Sequence, residues 1–148
     1  MNDQSFEETT ARICDKDSRY DMEAYYFMRD ALGYATKKYE RTGPNRHVTG
    51  VELSEAIREY AIHEFGPITF LVLSDWGLYK TSDFGEIVYA LINEGVFGKS
   101  ESDRKEDFNN VFEFDKAFLD PYEPHIDNAK VKASKTPSKA KTARKPAQ

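Results

Sequence analysis

Residues 49–77 read TGVELSEAIREYAIHEFGPITFLVLSDWG, and the punctuation of this stretch sets the frame for the rest of the chain. Thr49-Gly50-Val51-Glu52 has capping-box spacing: a hydroxyl that reaches the third amide of a helix, and a carboxylate that reaches back. The helix so opened carries Leu53, Ala56, Ile57, Tyr60, Ala61 and Phe65 on one face. Gly66 ends it. Pro67 suits the first turn of a second, short helix, because the amide it lacks has no partner there anyway. Ile68, Phe70, Leu71, Val72, Leu73 and Trp76 make residues 67–76 apolar almost all round, which predicts the most buried element of the fold. Gly77 caps it.

Working towards the C-terminus, a four-residue link (Gly77 to Lys80) leads to Thr81-Ser82-Asp83, which start another helix. Phe84, Ile87, Val88 and Leu91 form its inward face, and Gly95 closes it. Val96-Phe97, a charged loop from Lys99 to Asp107, and the alternating Val111-Phe112-Glu113-Phe114 then suggest a short hairpin, with a last helical turn as the alternative for the final segment. Helix, short helix, tight link, helix and hairpin is the order of a winged helix-turn-helix. The expected fold is therefore mainly α, a single helical domain, either winged-helix-like with a short C-terminal β-hairpin or a plain helical bundle.

Towards the N-terminus, a helix from about Asp21 to Arg41 has two adjoining apolar stripes. One is Tyr25, Met28, Leu32, Ala35 and Tyr39; the other is Ala24, Phe27, Ala31 and Tyr34. Thr42-Gly43-Pro44-Asn45 is its expected stop. Residues Phe6 to Cys14, introduced by Ser5, read as a short first helix.

Charge divides the chain more sharply than hydropathy does. Up to Asp127 there are 14 Lys and Arg against 26 Asp and Glu; beyond it there are seven cations and no acid. Those cations are Lys130, Lys132, Lys135, Lys139, Lys141, Arg144 and Lys145. Ten Phe, nine Tyr and one Trp fall almost wholly before Glu123 and support a packed core. From Ala129 onward Val131 is the only large apolar residue, too little burial to offset the entropy of ordering. Residues 1–123 are thus expected to form an acidic helical domain, and residues 124–148 a disordered cationic tail. A polyanion, nucleic acid or the ribosome, is the partner such an arm fits, without sequence preference because it has no aromatic to stack on bases. The arm folding back on its own acidic body is the rival.

Catalytic signals are absent from the pattern. There is no glycine-rich phosphate loop, Cys14 is the single cysteine, and His63-Glu64 lacks the second histidine of a zinc-protease motif. No cofactor, metal or catalytic residue is expected. The helix at residues 82–94 holds Asp83, Glu86 and Glu94 with no Lys or Arg, and the loop from Lys99 to Asp107 has three cations against four acids. Neither suits a DNA groove; an acidic surface of this kind fits a protein partner instead. One candidate pocket combines Arg46 and His47 with Arg58, Trp76 and Asp83, joined by His63 and Glu64, as an anion-binding or acid–base site. The structural alternative is that Arg46 pairs with an acid such as Asp83 and His47 caps or packs. The polar, acidic residues Met1 to Glu8 do not read as a signal peptide, and the longest apolar run, Ile68 to Leu73, is too short to span a membrane. A cytoplasmic setting is expected.

Several blocks, taken in order, resemble a family of small bacterial proteins of the Planctomycetes and Verrucomicrobia. They are Asp17-x-Arg19-Tyr20, Ala24-Tyr25-x-Phe27, Arg46-His47-Val48-Thr49-Gly50-x-Glu52-Leu53, Phe65-Gly66-Pro67, Val72-Leu73-x-x-Trp76-Gly77 and Thr81-x-Asp83-Phe84-Gly85-Glu86-Ile87-Val88. That family has no assigned activity, so the resemblance implies a bacterial cytoplasmic protein and no mechanism. The basic tail lies outside it. The resulting expectation is a non-enzymatic binding protein tethered by its tail, with a small-molecule enzyme or ligand sensor around Arg46, His47 and Asp83 as the alternative.

Overall fold

The computed structural model describes residues 2–41 and 47–124, and every described regular element is helical: α1 (Asp3–Lys16), α2 (Met22–Lys38), α3 (Gly50–Phe65), α4 (Thr69–Asp75), α5 (Thr81–Asn93) and α6 (Phe114–Phe118). Short 3₁₀ turns cover Gly66–Ile68, Lys105–Phe108 and Asp120–Tyr122. Among the described residues no helix is long and apolar enough to cross a membrane. The expectations for the tail and for Arg46 lie outside the described residues.

Local chemistry accounts for the helix boundaries. Asn2, not Ser5, caps α1: its side chain accepts from the Ser5 amide at 2.8 Å. Asp21 caps α2 by accepting from Glu23 N at 2.9 Å. Both expected stripes of α2 are used, with Ala24, Tyr25, Phe27, Met28, Ala31 and Ala35 all buried. The alanines let α3 approach closely, and α2 with α3 is the most extensive helix pair. α2 stops earlier than expected, at Lys38. Glu40 takes a left-handed φ of 53°, and the Arg41 amide closes the turn on Thr36 O at 2.8 Å, a glycine-type cap made without glycine.

The capping box of α3 forms in full: Glu52 N donates to Thr49 Oγ1 and Thr49 N to Glu52 Oε1, both at 3.1 Å. Arg41 adds a bidentate pair to Glu52, at 2.9 Å for each bond, and donates to the His47 carbonyl at 2.8 Å. One guanidinium thereby ties the end of α2 to the start of α3. Its hydrogen bonds hold the Glu52 carboxyl below the ordinary glutamate range. The unfolded chain then takes up the Glu52 proton at higher pH than the folded one. This stabilisation is full above about 4.5 and is lost as pH falls through the folded value. Arg41→Gln is expected to lower the melting temperature at neutral pH and to shrink the further drop on acidification. Parallel melting-temperature profiles for variant and wild type would refute the coupling.

Two expectations are corrected here. Residues 67–76 are not the most buried element: α4 buries only Thr69 and Leu73, while Ile68 is 55% and Leu71 68% exposed. A helix of two turns lying on the surface can hide one i,i+4 stripe, whatever the composition of its other faces. α5 goes deepest instead, with Phe84, Ile87 and Leu91 fully buried.

The hairpin is also absent, and among the described residues there is no strand. After Gly95, at φ 79°, the amides of Val96 and Phe97 both turn back onto Leu91 O. Phe108 plugs the body instead: a Cβ added at Gly85 would stand 3.0–3.1 Å from its ring and Cβ, and one at Gly50 would meet Asp107 Cβ at 2.8 Å and the Phe108 ring at 3.2 Å. Thr81 Oγ1 donates to Phe108 O at 2.6 Å and accepts from Val111 N at 3.1 Å. Phe114, Ala117 and Phe118, spaced by three and one, then bury the face of α6. The Phe114 and Phe118 rings join Phe84 and Phe112 in one aromatic cluster with centroids 5.1–6.2 Å apart. Helical spacing through Phe118 outcompetes the two-residue alternation that points to a strand.

Candidate functional site

The candidate pocket of Arg46, His47, Arg58, Trp76 and Asp83 does not assemble among the described residues. Asp83 is 8% exposed and accepts three hydrogen bonds: from the Tyr20 hydroxyl at 2.7 Å and from the amides of Tyr79 and Lys80 at 2.9 and 3.1 Å. It is the buried cap of α5, and among the described residues its side-chain partner is Tyr20. Burial and the Asp83 carboxylate push the Tyr20 phenol far up, so Tyr20 stays the donor. Arg58 pairs with Glu55 one turn back on α3, at 3.0 Å. His63 is exposed beside Glu64. Trp76, half-buried, packs its ring between Phe27 and Phe65.

His47 alone of these described residues lines a large cavity. Its volume is about 770 Å³, and α2, the start of α3, the end of α5 and residues 96–108 line it. The walls follow from helix periodicity. Arg29, Leu32, Gly33 and Thr36 recur by three and four along α2, and Val88, Tyr89 and Ile92 lie on one side of α5. The 3₁₀ turn at Lys105–Phe108, pinned by Thr81, sets Asp107 and Phe108 at the end nearest α3.

Polar groups converge at that end. His47 Nε2 is in contact with Asp103 Oδ2 without reaching hydrogen-bond geometry. Asp103 also accepts from Ser100 N at 2.8 Å. The Tyr89 hydroxyl is buried with no hydrogen-bond partner among the described residues. A polar group left so costs about 1–3 kcal/mol, and native folds retain few of them. Burial first, then the carboxylates of Asp103, Asp107 and Glu106, raise the Tyr89 phenol, so it is neutral and keeps its proton.

Tyr89 and Asp103 were not singled out by sequence. Tyr89 follows Val88 on an inward-facing helix and reads as core, while Asp103 sits in a charged loop read as a wing. No spacing rule marks either, because only the tertiary fold turns that loop back over α5. Cys14 is half-buried, and burial ahead of nearby Asp21 raises its thiol. Among the described residues no group of three or more His, Cys, Asp or Glu side chains is placed to hold a metal ion. Comparison of the chain with models of protein families, with curated proteins and with solved structures finds no match.

Proposed function

We propose that the chain is a non-enzymatic binding protein of the bacterial cytoplasm, related to the family its sequence blocks resemble. Its acidic helical body is tethered to a polyanion, nucleic acid or the ribosome, by Lys130, Lys132, Lys135, Lys139, Lys141, Arg144 and Lys145. The observation that carries this reading is the partition of charge, with every cation after Asp127 unaccompanied by an acid.

Among the described residues, about half of the body's cations are already engaged by acids. Arg12, Arg19, Arg29, Lys38, Arg41, Arg58 and Lys105 each pair with an acid of the same chain. In α5, the counterpart of a recognition helix, Asp83 is a buried cap and Glu86 receives Arg19 and Lys105. The α3–α4–α5 succession serves as scaffold in this reading, and its acidic surface remains open to a protein partner.

Full-length protein titrated into labelled mixed-sequence RNA and DNA should bind weakly at low salt. Seven cations at about 0.7–0.9 each bound the log–log salt slope at roughly five to six. Replacing Lys130, Lys132, Lys135 and Lys139 by Gln should weaken all sequences alike and flatten the slope. Unchanged binding, or a sequence preference that survives the four substitutions, places the site in the body and sinks the tether. The alternative, a ligand sensor or small-molecule enzyme, is favoured by the cavity at His47, without Asp83 as a member.

A further inference from the structure

We propose that the cavity between α2, α5 and residues 96–108 binds an organic amine, its ammonium group held by Asp103, Asp107 and the Tyr89 hydroxyl and its apolar body seated on Val88, Ile92 and Phe97. The inference deepens the ligand-sensor reading and is independent of the cationic tail. A volume of about 770 Å³ suits a small organic molecule.

The charge of the ligand follows from which wall groups have capacity left. Three cations line the cavity, and two of them are engaged by other groups of the chain. Arg29 pairs with Asp3 and Asp30 and lies over the rings of Phe6 and Tyr26. Lys99 Nζ donates to the carbonyls of Ser100 and Asp103, at 3.2 and 3.3 Å. Arg104 is exposed. The acids stand differently. Among the described residues Asp103 accepts one backbone amide and faces His47, and Asp107 accepts only the Arg104 amide, at 3.1 Å. A carboxylate offers about four lone-pair positions, so both retain acceptors for an incoming donor.

The Tyr89 hydroxyl, buried and unpartnered beside them, can accept from the same donor. Glu106 adds to the negative field that Asp103 and Asp107 set up at this hydroxyl. The body as a whole carries 26 acids against 14 cations, which concentrates cations near any opening. Phe97 supplies an aromatic surface for the apolar body of the ligand.

Three probes that share a phenylethyl body differ in their head group: 2-phenylethylamine, 2-phenylethanol and 3-phenylpropanoate, titrated into the full-length protein and followed by amide chemical shifts. The amine is expected to shift Tyr89, Gly98, Ser100 and Asp103 saturably and to bind more tightly than the alcohol or the carboxylate. Tyr89→Phe, which keeps the shape of the wall, should weaken the amine about five- to tenfold. Asp103→Asn should weaken it by about tenfold or more. Equal or tighter binding of the alcohol or the carboxylate would overturn the amine assignment. So would the absence of saturable shifts at those amides up to about 10 mM, or an amine affinity unchanged by Tyr89→Phe. Because every probe is read at the cavity, failure here leaves the nucleic-acid titration unaffected, and the reverse holds too.

Discussion

Phe84→Ala is expected to destabilise the protein by about 3–5 kcal/mol, a large share of the 5–15 kcal/mol typical of a folded domain. Phe84 is fully buried on α5, with ring centroids 6.2 Å from Phe112 and 5.6 Å from Phe114. Phe114 in turn meets Phe118 at 5.1 Å and 80°, an edge-on geometry. The deletion therefore opens a cavity and removes the ring on which α6 and the segment after Asn110 rest. Close packing leaves little freedom for neighbours to collapse into the space. Trp76→Ala should cost less, because Trp76 is half-buried at the end of the exposed helix α4 and touches chiefly Phe27 and Phe65. Urea unfolding of both variants ranks them directly. A larger loss for Trp76→Ala would mean that the core centres on α4 after all.

The comparison of those two aromatics shows what was legible in the sequence. Helix spacing in residues 21–41 and 82–94 picked out inward faces correctly, because both helices are long enough for periodicity to name one side. The Thr49–Glu52 box was legible because capping is local chemistry, complete within four residues. α4 was not legible in this way. Its four consecutive apolar residues, Phe70 to Leu73, point to every side of a seven-residue helix and carry no phase, so burial there depends on neighbours that local sequence does not specify. The segment after Gly95 failed for a related reason. Val96-Phe97 and Val111–Phe114 have strand composition, yet Thr81 and two glycines that admit Phe108 decide where the chain goes.

The candidate site was half legible. His47 was chosen for its chemistry and does line the cavity. Asp83 was chosen as its neighbour because the helices involved were expected to touch. That carboxylate is consumed instead by Tyr20 and two amides 63, 4 and 3 residues away in sequence. A helix-start acid is ambiguous in sequence between a cap and a site. Only the account of its hydrogen bonds resolves the ambiguity.

Gly77→Ala is the second substitution expected to be severe, and it tests how the two halves of the fold are joined. Gly77 ends the α4 region at φ 90°, a backbone conformation that side chains disfavour. A Cβ there would stand 2.3 Å from the Arg19 carbonyl oxygen and 3.5 Å from Tyr20 Cδ1. Neither the backbone at Arg19 nor the ring beside it can simply swing away. Asp21 N donates to Trp76 O at 3.1 Å, and the Tyr20 hydroxyl is fixed on Asp83. The α1–α2 connection is therefore clamped against the α4–α5 link by a hydrogen bond on each side of the close approach. Backbone strain and overpacking at about 1–3 kcal/mol each place the cost at about 2–6 kcal/mol. Two other glycines separate the contributions. Gly95 has a φ of 79° with nothing near its Cβ, so Gly95→Ala should show strain alone. Gly33, within α2 and equally unobstructed, should gain about 0.5–1 kcal/mol on replacement by Ala. Thermal unfolding of the three variants should rank Gly77→Ala lowest and Gly33→Ala highest. If Gly77→Ala melts no lower than Gly95→Ala, the Arg19 carbonyl yields freely and the clamp between the two connections does not exist.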